Sequence, residues 1–408
     1  MWQVAAYLAK RYMKLLVISH ALIQKPAQKR WQALAEKYPD VQVRLLVPRH
    51  WVSTWFIKNV EFKGEPVREI RFEVVPIKTT NNRNWGRYLI RGLAGQFREY
   101  RPDVIFCIHE EQILQLQQTI LYRKLFAPKA KLIYFSMNAF DRVLRPKNLH
   151  PKEVMKFLMT LFFWSRIKKG TDGALCHFPP IKDQMRKEGY KHPILLQTQI
   201  GVDNEVFQPD TRDRAAMREK LGLQGFVIGF TGRLIVEKGV LDLLKACENA
   251  PDDWELLFVG EGPCKTVIEE WAKNNHFENR VYMTGYVPVN EVVRYMRAMD
   301  VFVLGSRTTH IWIDTFPLVV AQAMASAVPV VVSSSGALPY QVGENEGLVF
   351  NEGDSVGLRK QLEKLYQEPD FRLQEAKRLY SRAQHMFCID AMNSHFHRFI
   401  THEIVKKI

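Results

Sequence analysis

Residues 226–239 read FVIGFTGRLIVEKG, and this stretch joins an apolar run to a glycine turn and two cations. The run over 226–231 has the length and composition of a buried strand. Gly232 follows it directly, and its missing side chain lets the backbone approach a ligand. Arg233 offers a planar fork for phosphate oxygens and Lys238 a mobile point charge, so the pair suits a diphosphate whose charge increases as it leaves. A surface loop with two solvated cations is the alternative interpretation.

Short apolar runs like this one recur along the whole chain and alternate with amphipathic stretches. Such alternation is typical of parallel sheets covered by helices. The runs predict strands at Lys14–Ser19, Gln42–Val47, Phe72–Val75, Val104–Ile108, Leu132–Phe135, Ala174–Cys176, Ile194–Leu196, Phe226–Thr231, Leu256–Val259, Val281–Thr284, Val301–Leu304, Val328–Val332 and Leu348–Phe350. Helices are predicted between them, for example over Gln28–Lys37 and Gln112–Leu125.

The polar segment 201–221 interrupts this alternation and separates the runs into two series. A chain of 408 residues is long enough for two cores. The sequence therefore predicts an α/β protein with two Rossmann-like, doubly wound domains over 1–203 and 204–386, facing each other across a cleft. Ligands of such sheets bind outside the carboxyl ends of the strands, so the cleft is the expected active site.

The charge balance narrows the classes of partner. Hydrophobic residues make up 47% of the chain and charged residues 25%, as in a globular protein, and the formal net charge is +15. The basic residues are spread along the chain without a nucleic-acid-binding motif, so nucleic acid is not an expected partner. Phosphate-bearing ligands and an anionic membrane surface are the specific alternatives to simple solubility. Five cysteines, never spaced as CxxC, favour a reducing cytoplasm over a disulfide framework or a zinc site.

Residues 153–169, EVMKFLMTLFFWSRIKK, are rich in apolar side chains and end in cations. They suit an amphipathic helix at an anionic membrane face, and a core helix of the first domain is the alternative. The uncharged part, 157–165, is too short to span a membrane. Residues 1–12 make a poor signal peptide and are either an unstructured leader or lie before a start at Met13. A cytoplasmic protein with peripheral membrane contact is therefore predicted.

A second glycine turn, FVGEGP at 258–263, ends another apolar run. The chain must turn tightly there and expose backbone amides near Glu261. Alone, such a turn is more often structural than functional.

The third motif lies within residues 300–329, where Asp314 and Gln322 are eight positions apart. A helix that begins near Pro317 places Gln322 on its second turn, because proline is tolerated in the first turn. Free backbone N–H groups at that helix N-terminus would face an anionic ligand.

These motifs together resemble family 4 of the glycosyltransferases. The resemblance rests on four segments in order: GRLIVEKG (232–239), LLFVGEGP (256–263), VYMTGYVP (281–288) and DTFPLVVAQAMASAVPVVVSSSG (314–336). MKLLVISHALIQKPAQKRW (13–31) and RPDVIFCIHEEQ (101–112) resemble the first domain of these enzymes more loosely. The resemblance implies the GT-B fold with residues 387–408 packed back on the first domain, retention of anomeric configuration, no metal or other cofactor, and a nucleotide-diphosphate sugar as co-substrate.

The family resemblance also implies roles for single residues. Arg233 and Lys238 match the pair that holds the donor diphosphate. Asp314 matches the first glutamate of the E-x7-E motif, which contacts hydroxyls of the transferred sugar, and Gln322 matches the second, which bonds the ribose. Tyr286 and Val287 resemble the wall beside the nucleobase. The expected donor-binding residues are Gly232, Glu261, Tyr286, Val287, Phe316, Pro317, Leu318 and Gln322.

Three positions depart from the family pattern. Aspartate at 314 is one methylene shorter than glutamate, and glutamine at 322 keeps an acceptor but loses the charge. Pro317 stands where the family has glycine, so one backbone N–H is lost.

The acceptor side lacks the family's histidine, since residues 136–138 read Ser-Met-Asn. His109 ends the preceding predicted strand and is the nearest candidate for a catalytic contact with substrate. His20, at the end of the first strand, is a similar candidate, and His310 lies beside the Asp314 loop. A structural hydrogen-bonding role is the alternative for each.

The resemblance thus implies a retaining hexosyltransferase that acts on a glycan or lipid-linked acceptor in polysaccharide or cell-envelope glycan synthesis. The alternative is a catalytically degenerate GT-B protein that acts as a partner subunit or nucleotide-sugar sensor.

Overall fold

The computed structural model describes two compact units, formed by residues 1–200 with 393–408 and by residues 201–392. The predicted bounds were 1–203 with 387–408 and 204–386. The structure describes residues 12–53, 60–83, 87–108, 114–137, 151–310, 312–343 and 348–405. Among these residues no helix is long and apolar enough to cross a membrane.

The first unit is built on a sheet in the order β10-β9-β8-β7-β1-β2-β6-β5. Its neighbouring strands are parallel except for β5, which pairs antiparallel with β6 at the edge. Strands β3 and β4 form a separate antiparallel pair and lie between β2 and β5 along the chain. The strands are β1 (Met13–Ile18), β2 (Val41–Pro48), β3 (His50–Ser53), β4 (Val60–Lys63), β5 (Val67–Arg68), β6 (Phe72–Ile77), β7 (Val104–Cys107), β8 (Lys131–Ser136), β9 (Gly173–Cys176) and β10 (Ile194–Leu196).

Helices connect most of these parallel strands, because parallel neighbours need a crossover connection; β2 and β6 are joined through β3, β4 and β5 instead. They are α1 (Lys25–Lys37), α2 (Leu93–Tyr100), α3 (Leu114–Phe126), α4 (Pro151–Gly170) and α5 (Pro179–Lys187). The strands β1, β7 and β9 are buried almost throughout, which explains why they read as continuous apolar runs.

The second unit has one parallel sheet in the order β13-β12-β11-β14-β15-β16. Its strands are β11 (Phe226–Thr231), β12 (Trp254–Val259), β13 (Val281–Met283), β14 (Val301–Leu304), β15 (Val330–Ser333) and β16 (Leu348–Phe350). Its helices are α6 (Thr211–Leu221), α7 (Val240–Ala246), α8 (Lys265–Asn274), α9 (Val289–Ala298), α10 (Leu318–Ala325), α11 (Leu338–Val342), α12 (Ser355–Gln367) and α13 (Pro369–Met386).

The chain ends in helix α14 (Ile389–Arg398) and a π-helical turn over Phe399–Ile404. Phe396 and Phe399 belong to the core of the first unit, with strands β1, β2 and β7. The buried Arg30 of α1 fixes this segment, because its backbone oxygen accepts from Asn393 at 2.9 Å.

Each strand predicted from the sequence is present, with bounds that differ by at most two residues. The short strands β3, β4 and β5 were not predicted. They lie at an edge or outside the main sheets and pair antiparallel, so they lack a long buried run. Both predicted helices are observed, as α1 and α3, and Gln112 of the second lies outside the described residues.

Candidate active site

The strand order of the second unit indicates a candidate ligand-binding edge. The sheet runs outward from β11 to β12 and β13 on one side and to β14 on the other, so the order reverses between β11 and β14. Open α/β sheets bind ligands at such a switch point, beyond the carboxyl ends of the strands. The loops that follow β11, β12, β13 and β14 carry the residues predicted for the donor.

Two cations meet on one aromatic ring at this edge. The guanidinium carbon of Arg233 lies 5.0 Å from the ring centroid of Trp312, and Lys238 Nζ lies 5.4 Å from the same centroid. Cation–π contacts of this kind orient a cation before a ligand arrives. The indole N–H of Trp312 is buried and has no hydrogen-bond partner among the described residues. The structure therefore brings the predicted pair together and adds an aromatic residue to it.

Lys238 also forms a buried ion pair with Asp314. Its Nζ lies 2.7 and 2.8 Å from the two carboxylate oxygens, and the side chains are only 13% and 9% exposed. The hydroxyl of Ser306, at the end of β14, donates to the same carboxylate. Asp314 thus holds the ammonium group of Lys238 in place. This contact argues against the alternative in which Lys238 is a solvated surface cation.

Close backbone contacts fix the loop that carries Lys238. Gly239 has φ of +74°, and a Cβ there would lie 1.9 Å from the carbonyl oxygen of Gly305. Arg307 donates its backbone N–H to the carbonyl of Glu237 at 2.9 Å. The loop after β11 therefore packs closely on the loop after β14 and is hydrogen-bonded to it. Only glycine fits at position 239.

The second glycine turn packs on the first. A Cβ on Gly260 would lie 2.0 Å from the carbonyl oxygen of Gly232, and Leu234 N donates to Glu261 O at 2.9 Å. The exposed Glu261 carboxylate accepts weakly from Tyr286 N at 3.4 Å. Tyr286 is 69% exposed, whereas Val287 packs partly against the core. Glu261, predicted to bind the donor, thus lies next to Tyr286 and Val287, which were predicted for the nucleobase wall, and the Tyr286 side chain is exposed.

Helix α10 begins at Leu318, directly after Pro317, and no side chain caps its first turn. Gln322 lies on the second turn, as predicted, and is 8% exposed. Phe316 points elsewhere, because its ring packs edge-on against Phe387 at 5.2 Å. At this helix, the backbone N–H of Leu318 and the side chain of Gln322 are therefore the groups that could meet a ligand.

The short helix α11 shapes the Asp314–Pro317 loop. Ala337 N donates to the carbonyl of Asp314 at 2.8 Å, and Gln341 Nε2 donates to the carbonyl of Pro317 at 3.3 Å. Gln341 is fully buried. Both ends of the loop are thus held by hydrogen bonds to their carbonyl groups.

Two titratable side chains beside the site have raised pKa values, and the causes are structural contacts and burial. Arg307 forms a two-pronged ion pair with Asp242, and that hydrogen bonding raises the pKa of the Arg307 side chain. Burial, helped by the charge of Glu237, raises the pKa of the Cys264 thiol. Cys264 is therefore a protonated core thiol and not a nucleophile.

The three candidate histidines from the sequence, His109, His20 and His310, lie in different surroundings. His109 lies outside the described residues, and His310 is exposed. The ring of His20 packs against Trp51 and Tyr88, with centroid distances of 4.8 and 6.0 Å. Burial lowers its pKa to about 4, so His20 is neutral near pH 7.

Sequence reasoning missed Trp312, Ser306 and Gln341. Ser306 closely follows a buried strand, which is a signal that could have been used. Trp312 is a large aromatic residue two positions before Asp314, in the loop that follows a buried strand, and this was a second available signal. Gln341 acts across 24 residues, and no local pattern indicates it.

A sequence model of the family described as glycosyl transferases group 1 matches residues 213–386, within the second unit. A GDP-mannose-dependent monoacylated alpha-(1-6)-phosphatidylinositol monomannoside mannosyltransferase of Corynebacterium glutamicum is 31% identical over 186 residues, which cover 44% of this chain and 48% of that protein. The chain thus spans about half the length of the curated relatives it matches.

Two solved structures superimpose over nearly the whole chain. Sucrose-phosphate synthase from Thermosynechococcus elongatus gives a TM-score of 0.68 at 16% identity, over 95% of this chain and 98% of that one. HepE of Anabaena, in complex with UDP and glucose, gives 0.65 at 15% identity, over 95% and 99%. At these identities the likeness concerns the fold alone, and it confirms the predicted pair of Rossmann-like domains. The chain therefore has the GT-B fold, and residues 213–386 of its second unit match the model of the glycosyl transferases group 1 family.

Proposed function

We propose that this protein is a retaining, metal-independent hexosyltransferase that moves a sugar from a nucleotide-diphosphate sugar to a glycan or lipid-linked acceptor. One observation carries the proposal: Arg233 and Lys238 are held on the same ring of Trp312, at the switch point of the sheet. Two oriented cations beside the uncapped start of α10 suit a diphosphate group.

In the proposed reaction, the bond between the anomeric carbon and the diphosphate oxygen breaks, and the electron pair leaves with the diphosphate. The acceptor hydroxyl forms its bond on the same face of the sugar and gives its proton to the departing phosphate oxygen. Arg233, Lys238 and the backbone N–H groups of α10 stabilise the charge that develops on the leaving group. No protein nucleophile is needed for this step.

Asp314 and Gln322 complete the proposed donor site. Asp314 fixes Lys238 through its ion pair and offers a carboxylate edge to a sugar hydroxyl. Gln322 offers an amide to a ribose hydroxyl, with both a donor and an acceptor. Tyr286, exposed beside the Glu261 turn, is proposed to cover the nucleobase.

The acceptor is assigned to the first unit, as the family resemblance implies. The mannosyltransferase relative is named for a phosphatidylinositol monomannoside substrate. A lipid-linked acceptor would bring this protein to a membrane, so peripheral membrane contact and a role in polysaccharide or cell-envelope glycan synthesis belong to the proposal.

Calorimetric titration of the purified protein with UDP-, GDP- and ADP-sugars tests the donor site. One nucleotide sugar is expected to bind, and R233A/K238A should weaken it at least about a hundredfold, because two charge-assisted contacts are lost. R212A/K273A, which removes an exposed arginine and lysine of the same unit, is the matched control. Equal donor binding by R233A/K238A would contradict the assignment of the two cations.

The alternative is a degenerate GT-B protein that binds a nucleotide sugar as a sensor or partner subunit. The departures at Asp314, Gln322 and Pro317 favour it. Product analysis separates the two: the enzyme releases nucleoside diphosphate in the presence of acceptor extracts and keeps doing so in EDTA, whereas a sensor binds donor without turnover. D314E/Q322E should raise turnover only if the rest of the site is competent.

A further inference from the structure

Helix α4 carries a stripe of exposed apolar side chains along one face. Met155, Leu158, Met159 and Phe162 are 59%, 52%, 47% and 57% exposed. Their spacing of three and four residues places them on the same side of the helix. Half-exposed large apolar side chains in one contiguous row indicate an interaction surface. We call this row the α4 stripe.

The opposite side of α4 is the side that packs into the first unit. Trp164 and Ile167 are 4% and 0% exposed, and the Trp164 indole donates to the carbonyl of Glu188 at 3.2 Å. Gly170, at the end of the helix, lies against Ile120 of α3. The helix is therefore anchored by its inner face, and the α4 stripe lies on its exposed side.

Basic residues continue the α4 stripe toward the end of the helix. Arg166 and Lys169 follow Phe162 by four and seven positions, so they lie on the same side. The Arg166 guanidinium lies 5.7 Å from the Phe162 ring centroid, and Lys169 is exposed. An apolar row that ends in cations matches the boundary of a bilayer, where acyl chains lie beside anionic headgroups.

We propose that the α4 stripe is a docking surface for an anionic lipid membrane, on which the helix lies without crossing it. A second copy of the chain fits less well, because two chains of net charge +15 repel each other. A row of four side chains is also narrower than a stable protein interface needs. This surface deepens the peripheral membrane contact of the proposed function and rests on it, but vesicle binding is measured without donor, so its failure and a failure of donor binding are distinguishable.

Vesicle co-sedimentation of the full chain tests the surface. The protein is expected to sediment with phosphatidylcholine vesicles that contain phosphatidylglycerol and much less with phosphatidylcholine alone. L158Q/F162Q should lower the bound fraction at least about tenfold, since each substitution removes an apolar side chain from the bilayer boundary. R166Q/K169Q should remove the preference for phosphatidylglycerol.

The control variant I70Q/V356Q removes two exposed apolar side chains elsewhere, at 91% and 63% exposure, and should bind as the parent does. Unfolding temperatures of all variants check that the fold is intact. Sedimentation of L158Q/F162Q equal to that of the parent overturns the proposal. The proposal is also overturned if light scattering shows that the parent is an oligomer, that L158Q/F162Q is not, and that neither protein binds vesicles.

A conservative variant keeps the proposal testable if the glutamine pair fails to fold. In L158W the new indole should show a blue-shifted emission with phosphatidylglycerol vesicles and quenching by brominated lipid. Unchanged emission from L158W in the presence of bound vesicles would mean that another surface docks.

Discussion

The buried ion pair between Lys238 and Asp314 supports a prediction about stability that can be worked out from the structure. Both oxygens of the carboxylate lie within 2.8 Å of the ammonium, and neither side chain is more than 13% exposed. Removing one member of such a pair leaves an uncompensated buried charge, which costs about 3 to 5 kcal/mol. Among the described residues, Lys238→Met leaves the Asp314 carboxylate with the Ser306 hydroxyl as its hydrogen-bond donor, so we expect a loss of about 3 kcal/mol.

Removing both charges should cost less than removing one. In K238M/D314N no buried charge remains, and we expect a loss of about 1 kcal/mol relative to the parent. The double-mutant cycle should then give a coupling energy of at least about 2 kcal/mol. For a unit of this size, 3 kcal/mol corresponds to roughly 6 to 12 °C in the unfolding temperature of residues 201–392.

Differential scanning calorimetry of the four proteins measures this cycle. Arg233→Met is the matched control, because Arg233 has no carboxylate partner among the described residues and its guanidinium lies over the Trp312 ring. We expect it to cost less than about 1 kcal/mol. Additive losses in the cycle, with a coupling energy below about 0.5 kcal/mol, would refute the idea that Asp314 holds Lys238 in place.

Three further perturbations probe the loop, the ring and the buried histidine. G239A should destabilise the protein by more than about 3 kcal/mol, because its Cβ meets a carbonyl oxygen at 1.9 Å, whereas G222A, with similar φ and open space, should cost about 1 kcal/mol; chemical denaturation compares them. W312L should weaken donor binding roughly 5- to 30-fold in calorimetry, because two cation–π contacts of about 0.5 to 1 kcal/mol each orient the cations. Burial lowers the pKa of His177 to about 3, so the folded state disfavours the charged imidazole. The stability that neutral His177 contributes is fully present above about pH 6.5 and is lost as the pH falls, so the free energy of unfolding should drop by about 2 kcal/mol at pH 5. H177N should lose correspondingly less stability between pH 7.5 and pH 5. Equal losses in H177N and the parent would contradict the lowered pKa of His177.

The sheets could be predicted from sequence because their strands are buried on both faces. A run such as 226–231 carries no polar side chain except its last residue and reads as one continuous apolar segment. The edge strand β5 has only two residues and exposes Arg68, so no periodic signal marks it. Strand detection from sequence thus worked where two layers of helices cover the sheet and failed at its margin.

Helix α4 shows why sequence alone left two interpretations open. Apolar residues occur on all sides of it, since Trp164 faces inward and Phe162 faces solvent only two positions earlier. Periodicity identifies an apolar stripe only when the other side is polar. The decision therefore needed the packing of Trp164 and Ile167, which depends on contacts distant in sequence.

The residues of the candidate site also divide into those that sequence could predict and those that it could not. Gly232, Arg233 and Lys238 follow a strand within one short segment, so their proximity could be predicted. Trp312 and Asp314 come from a loop more than 70 residues later, and the motif resemblance predicted only the second. The ion pair and the shared aromatic ring are tertiary contacts that local spacing does not contain.

The effect of Pro317, a departure from the family pattern, can be judged from its backbone conformation and hydrogen bonds. Its φ of −69° is the value that proline prefers, and α10 begins at the next residue without a kink. The loop is held through carbonyl groups, those of Asp314 and Pro317, which accept from Ala337 and Gln341. Proline removes an N–H and leaves the carbonyl intact, so the substitution for glycine costs the loop none of these bonds. If the first turn of α10 binds the donor, as we propose, the loss falls on one hydrogen bond to that donor, while the N–H of Leu318 and both cations are unaffected. Pro317 is then expected to weaken or alter donor binding and not to abolish it.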